Sequence, residues 1–297
     1  MRVLISGATG LIGSALSPEL ESGDHRVTRL TRSPESDEDV GWDPSSGRID
    51  ASRLAGHDAV VHLAGESIGE GRWTPEKKRR ILESRVRGTR LLAETVANLS
   101  EPPEVMVSAS AVGYYGDRGN ELLREESEPG SDFLAEVCKA WEAAADPARE
   151  AGIRVVHPRN GIVLSTKGGA LARTLPIFRL GGGGRIGSGR QWWSWIALDD
   201  VVGAILHSLA NNSVEGPVNV GSPNPLTNAE YTRVLGEVLG RPTVFPLPAP
   251  AARLALGEVA DALLLASQRM EPAKLKQTGY EFRYPELEGA LRHLLGR

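Results

Sequence analysis

Three glycines separated by two residues each, Gly7, Gly10 and Gly13, stand where a short apolar run (Val3, Leu4, Ile5) gives way to a helical pattern at Ser14, Ala15 and Leu16. Between a strand and a helix, this spacing suits the binding of a dinucleotide's phosphates. Gly7 can take the backbone angles of a tight turn, Gly10 lets a diphosphate approach the main chain, and Gly13 lets the helix pack closely on the strand. Thr9, Leu11 and Ile12 complete the turn, where the free N–H groups of the helix start face the phosphates. A glycine triplet alone is ordinary turn punctuation; the strand before it and the helix after it give it meaning.

The next informative position is the end of a second strand, residues 26–31 (RVTRLT), which in such a unit meets the adenosine ribose. An acidic residue there would bind the ribose hydroxyls. This chain offers Thr31, Arg32 and Ser33, with Arg29 nearby, and guanidinium and hydroxyl groups suit a 2′-phosphate, so the cofactor expected is NADP(H). Residues 57–65 (HDAVVHLAG) read as a buried parallel strand whose carboxyl end, at Leu63, Ala64 and Gly65, opens onto the cofactor. No metal site is expected, because the six histidines (25, 57, 62, 157, 207 and 293) show neither HxxxH nor HExxH spacing. A serine hydrolase is disfavoured, since Ser110 lies in SASAV and not in a GxSxG elbow.

These residues need an α/β frame, and the chain supplies one. At 297 residues, 40% hydrophobic and 24% charged, it can form one large α/β domain with an appended lobe, and its net charge of -4 does not suggest a nucleic-acid binder. One cysteine, Cys138, excludes an internal disulfide. With no signal peptide or membrane-length apolar run, a cytoplasmic protein is expected. Residues 34–50 read as an irregular connection or short hairpin around Trp42. Thr74 and Pro75 start a long helix to about Asn98, whose KKRR run (77–80) is expected to be a solvated face. Strands are expected at 104–110, 153–157, 161–164 and 218–221. Ser131 or Asp132 caps a helix to about Arg149, Asp199 and Asp200 give a helix an acidic first turn, and Thr227 caps another that ends before Gly240. The alternation implies a Rossmann-like, doubly wound parallel sheet. The glycine-rich stretch 181–189 suggests a mobile lip, and Trp192, Trp193 and Trp195 either pack a junction of lobes or touch substrate. Residues 1–165 are expected to form the NADP-binding core and 166–241 a mixed segment completing it on the substrate side; 242–297 form a smaller, mainly helical C-terminal lobe.

The chain resembles the extended, epimerase-like branch of the short-chain dehydrogenases/reductases, and within it the atypical epimerase-family group. The residues carrying this are GATGLIG (7–13), LTRSP (30–34), HLAGE (62–66), RWTPEKKRRILESRVRGTRLL (72–92), SASAVGYYG (108–116), CKAWE (138–142), PRNGIVLS (158–165) and WWSWIALDD (192–200). The resemblance implies cofactor contacts at Ser108, Lys139, Pro158, Gly161 and Ile162, and matches Ser110 and Lys139 to the superfamily's catalytic serine and lysine. The tyrosine expected four residues before Lys139 is Ala135, which cannot transfer a proton. Tyr114 or Tyr115, in the loop after Ser110, could supply the missing acid, or a water held by Ser110 could. Three functions follow from this set: NADP(H)-dependent oxidation or reduction of a small alcohol or carbonyl compound, epimerisation or dehydration of a sugar derivative with tightly held cofactor, and non-catalytic NADPH sensing.

Overall fold

The computed structural model describes residues 1–297. Its centre is a sheet of parallel strands, β1 (Arg2–Ser6), β2 (Arg26–Thr31), β3 (Val40–Asp43), β4 (Ala59–His62), β5 (Val105–Ser108), β6 (Arg154–Asn160) and β7 (Gly216–Val220), in the spatial order β7-β6-β5-β4-β1-β2-β3. The order reverses beside β1, and in doubly wound folds the ligand crevice forms at that switch point. The first two strands and the helix between them, α1 (Gly13–Ser22), lie where the sequence places them.

β1 is apolar along its length because both faces are covered. Val3 and Ile5 join Val61, Val107 and Val218 in one core with Leu16 and Leu20 of α1 and with α6 (Leu198–Ala210). Leu4 joins Val60, Met106 and Val155 in a second core beneath α2 (Pro75–Ala97). Successive side chains on opposite faces thus feed two separate layers. Pro158 sits inside β6, in the interval where β5 has ended and the short strand Ser110–Ala111 has begun its own pairing, so the missing N–H interrupts no ladder.

Two local expectations change, and one left open resolves. The helix begun at Asp132 ends at Ala143 (α3, Phe133–Ala143), and a separate turn of helix, α4 (Asp146–Glu150), carries Pro147 in its first turn. Residues 40–49 form the hairpin, with Arg48–Ile49 antiparallel to β3. The glycines at 181–184 do not form a lip. A Cβ on Gly184 would lie 2.0 Å from the Phe245 carbonyl oxygen, and the Phe245 and Leu247 amides donate to Gly183 and Arg185. Those glycines let the connector at 242–247 lie flush against the 183–187 segment.

Trp193 and Trp195 pack the third core with α5 (Gly169–Arg179), α7 (Asn228–Leu239) and the last helix, Leu287–Leu295. They are junction residues. Trp192 instead donates to Asn120 and lies under the Arg269 guanidinium. Asp200 is fully buried and accepts from the Tyr280 hydroxyl (3.0 Å) and the amides of Arg283 and Tyr284 (2.7 and 2.9 Å), which fastens the C-terminal region to α6. Thr227 and Glu230 form a reciprocal cap on α7. No helix is long and apolar enough to cross a membrane.

Candidate functional site

The glycine turn has the geometry its spacing requires. Gly7 has φ +72°, and a Cβ there would come within 2.8 Å of the Leu63 carbonyl carbon. A Cβ on Gly13 would lie 2.3 Å from the Gly7 oxygen, whereas one on Gly10 would meet only that oxygen, at 3.2 Å. Gly7 and Gly13 are therefore fixed by close packing, and the outer side of Gly10 is left open for a ligand. α1 has no side-chain cap and no acid in its first turn, and the Leu11 and Ile12 amides have no acceptor in the protein. Unpaired helix-start donors beside an open glycine fit a diphosphate.

From the turn a cleft of about 590 Å³ runs over β2 and the end of β4. Gly7, Thr9, Gly10, Thr31, Arg32, Ser33, Leu63, Ala64 and Gly65, all cofactor candidates, line it. Arg29 also reaches it but is committed elsewhere. Its guanidinium holds Asp39 through two hydrogen bonds of 2.7 and 2.9 Å, and Asp39 also accepts from the Glu35 and Ser36 amides. The guanidinium, followed by these amides, holds the Asp39 carboxyl below its usual range. That clamp shapes the loop and leaves Arg32, exposed and with no ion pair, as the unengaged cation at the strand end.

Sequence reasoning missed the opposite wall. Trp42, Asp43 and Ser45 of the hairpin and Arg80, Glu83, Ser84 and Arg87 of α2 also line the cleft. The signal for the latter was the KKRR run, which is not simply a solvated face. Lys77 is 7% exposed and pairs with Glu66 at 2.7 Å, Lys78 pairs with Glu258, and Arg80 faces the cleft.

Beyond the carboxyl ends of β5 and β6 the polar groups are engaged with one another. Ser110 is 2% exposed and its hydroxyl donates to Glu142 at 2.7 Å. Glu142 is held by Arg159 through two bonds of 2.8 and 2.9 Å. Arg159 donates in turn to the Tyr115 hydroxyl and the Glu125 carbonyl, and Tyr115 donates to Asn219 at 2.6 Å. Burial opposes the Arg159 cation, but Glu142 and Tyr115 outweigh it and hold the group firmly protonated.

In this arrangement two candidate catalytic residues have other partners. Tyr115 is wholly buried, its hydroxyl is engaged by Asn219 and Arg159, and desolvation pushes its phenol up to about 12, so in this structure it serves as a hydrogen-bonding post within the interior network. Lys139 pairs with Glu136 on the outer side of α3. The neighbour that faces Ser110 is Cys138, whose thiol donates toward the Ala111 carbonyl and is pushed up to about 12 by burial. The side of α3 packed on the 110–113 segment thus carries Leu134 and Cys138, both buried, and Ala135, at the place of the expected tyrosine, is buried beside them.

Tyr114 differs from its neighbour. It is half-buried, its ring lies 3.4 Å from the Arg159 guanidinium, and its hydroxyl has no partner in the protein. Ser108 is buried with its hydroxyl unpartnered, Pro158 is buried within β6, and Gly161 and Ile162 are stitched to Val220 and Ser194 by their amides. None of these four lines the cleft over β2.

A parallel sheet with this switch point, glycine turn and strand-end cation defines a dinucleotide-binding protein of the short-chain dehydrogenase/reductase type. Residues 3–221 match the NAD dependent epimerase/dehydratase family, and residues 247–294 match a domain of unknown function, DUF1731. The chain belongs to that epimerase/dehydratase family. It is 42% identical over 296 residues to epimerase family protein Mb2239 of Mycobacterium bovis, covering 99% of this chain and 98% of the relative. It is 37% identical to human epimerase family protein SDR39U1, covering 99% and 100%. The crystal structure of human SDR39U1 (isoform 2) with NADPH superposes with a TM-score of 0.91 at 36% identity over the whole of both chains. A nucleoside-diphosphate sugar epimerase from Corynebacterium glutamicum superposes with a TM-score of 0.84 at 40% identity, with this chain spanning 58% of it.

Proposed function

We propose that the protein binds NADP(H), phosphates on the Gly7–Gly13 turn and 2′-phosphate at Arg32, and uses it to oxidise or reduce a small alcohol or carbonyl compound. The observation that carries this reading is the division of labour on β2: Arg29 is locked to Asp39, and Arg32 is unpaired at the position a 2′-phosphate would occupy. The NADPH held by the human relative supports the same choice. A nicotinamide cofactor supplies or accepts a hydride. The protein must then exchange a proton with the substrate oxygen. Tyr114 has the free hydroxyl for that exchange, and Arg159, immobilised by Glu142, holds its ring in place. Ser110 directs its own proton to Glu142 and so offers lone pairs, not a donor.

That occupied serine, with Lys139 turned outward, favours a second reading, in which the chain holds NADPH without turnover and reports its occupancy. Epimerisation or dehydration of a sugar derivative has the support of family membership and of the Corynebacterium relative. The deciding experiment follows the loss of reduced-cofactor absorbance over a panel of carbonyl compounds for wild type, Tyr114→Phe and Tyr115→Phe. Loss of about 100-fold or more in Tyr114→Phe alone is expected for a proton-transfer residue. Full activity in that variant contradicts the assignment, and NADPH binding with no turnover on any compound favours the second reading.

A further inference from the structure

The end of α5 and the connector at 242–247 hold bulky apolar side chains out in water. Leu180 is 88% exposed, Val244 69%, Phe245 62%, Ile177 55% and Leu247 38%. They share one surface: a Cβ on Gly182 would lie 3.3 Å from Ile177 and one on Gly181 3.7 Å from Pro242, and the backbone of 183–185 is bonded to that of 245–247. Every residue from 244 to 248 is exposed. An exposed apolar run of that length marks a binding surface.

The charge around it is one-sided. The chain has a net charge of -4, yet it has no Asp or Glu between Glu150 and Asp199 or between Glu237 and Glu258. Arg179 and Arg241 flank the apolar residues, exposed and without a hydrogen-bond or ion-pair partner, and Arg185 bonds only to the Ser188 carbonyl. We propose that this surface docks peripherally on an anionic lipid bilayer, with the arginines among the headgroups and Leu180, Val244 and Phe245 at the acyl boundary.

Three features select a bilayer over a protein partner. Side chains this exposed stand out from the surface and wall no groove for a partner's helix. The backbone beneath them is poor in free donors. Residues 242, 246 and 248 are prolines, and the Phe245 and Leu247 amides donate to the Gly183 and Arg185 carbonyls at 3.2 and 2.9 Å, so few unpaired N–H groups meet an apolar medium. A symmetric dimer through the same surface would set Arg179, Arg185 and Arg241 against their own copies, with no acid from these segments to offset them. Anionic headgroups supply the missing charge, and apolar side chains beside cations are the chemistry of an interfacial anchor.

The test is co-sedimentation of the whole protein with vesicles of phosphatidylglycerol and phosphatidylcholine in equal parts, and with vesicles of phosphatidylcholine alone. It is run on wild type, Leu180→Ser, Phe245→Ser, Arg179→Gln, Arg241→Gln and, as a control, Arg90→Gln, which removes an exposed charge from α2. The expected result is binding to the mixed vesicles at least about tenfold tighter than to phosphatidylcholine alone. Each of Arg179→Gln and Arg241→Gln should weaken it about fivefold and each of Leu180→Ser and Phe245→Ser about tenfold, with Arg90→Gln unchanged. All the substituted side chains are exposed, and unchanged melting temperatures check that the variants are folded. No binding to the mixed vesicles, equal binding to both kinds, wild-type affinity in Leu180→Ser and Phe245→Ser, or an equal loss in Arg90→Gln overturns the proposal. So does a concentration-dependent dimer that Phe245→Ser abolishes in a protein that ignores vesicles, which would give the surface to a second copy.

Discussion

The two ends of the candidate site are built on opposite plans. Over β2 and the glycine turn, the binding groups are backbone amides and an unpaired arginine, and the one competing cation, Arg29, is held away by Asp39. Past β5 and β6, Ser110, Glu142, Arg159, Tyr115 and Asn219 satisfy one another; the free hydroxyls are the buried one of Ser108 and that of the half-buried Tyr114. The first end is ready for a ligand; the second is an interior polar network in the place where a catalytic triad would stand. The phosphate turn rests on main-chain geometry and survives changes of side chain, and Arg32 alone carries the preference for a 2′-phosphate. Proton chemistry rests on two or three side chains, and here those have been exchanged.

The largest effect that would test this contrast is at Glu142. Removing it as Glu142→Ala leaves the Arg159 cation buried without its counter-ion, and a loss of about 3–5 kcal/mol is expected in urea unfolding with an unchanged m value. A loss under 1 kcal/mol would mean that the closed end is loosely organised and open to substrate. A smaller effect appears in acid. His62 is fully buried with Nδ1 2.5 Å from the Ser6 hydroxyl, and burial, then Arg85, lowers its pKa to about 4. Its folded value lies below the unfolded value of about 6.5, so protonation favours the unfolded chain. Stability should fall as pH drops from about 6.5 towards 4, by up to about 3 kcal/mol from this group. His62→Gln should flatten that part of a melting-temperature profile, and an unaltered slope would assign it to other groups. The smallest effect is at Lys139, whose partner Glu136 is exposed. Lys139→Ala should change NADPH affinity less than about twofold and stability by less than 1 kcal/mol. A tenfold loss of affinity would return the lysine to the cofactor.

The open end was legible in the sequence because glycines at fixed spacing, and a cation in the place of an acid, report backbone constraints directly. Arg29 was not, since its partner Asp39 lies ten residues on in a polar loop with no periodic signal. The closed end was legible as a set of residues and not as an arrangement. Lys139 and Cys138 are adjacent in sequence, yet one position is about 100° of helix rotation, which separates the surface from the core. Ser110 and Glu142 are 32 residues apart, and local pattern gives no hint that they meet. Asp200 read as a helix-start acid and is a buried anchor, because its partners Tyr280, Arg283 and Tyr284 come from the far end of the chain.

The most direct test of the central claim is the affinity of wild type and Arg32→Ser for NADPH and NADH, measured by quenching of protein fluorescence. The account predicts that wild type prefers NADPH and that Arg32→Ser weakens NADPH about 10- to 100-fold while leaving NADH nearly unchanged, as the loss of one charge-assisted phosphate contact requires. Equal affinity of wild type for the two cofactors, or an Arg32→Ser variant that still prefers NADPH, would contradict it.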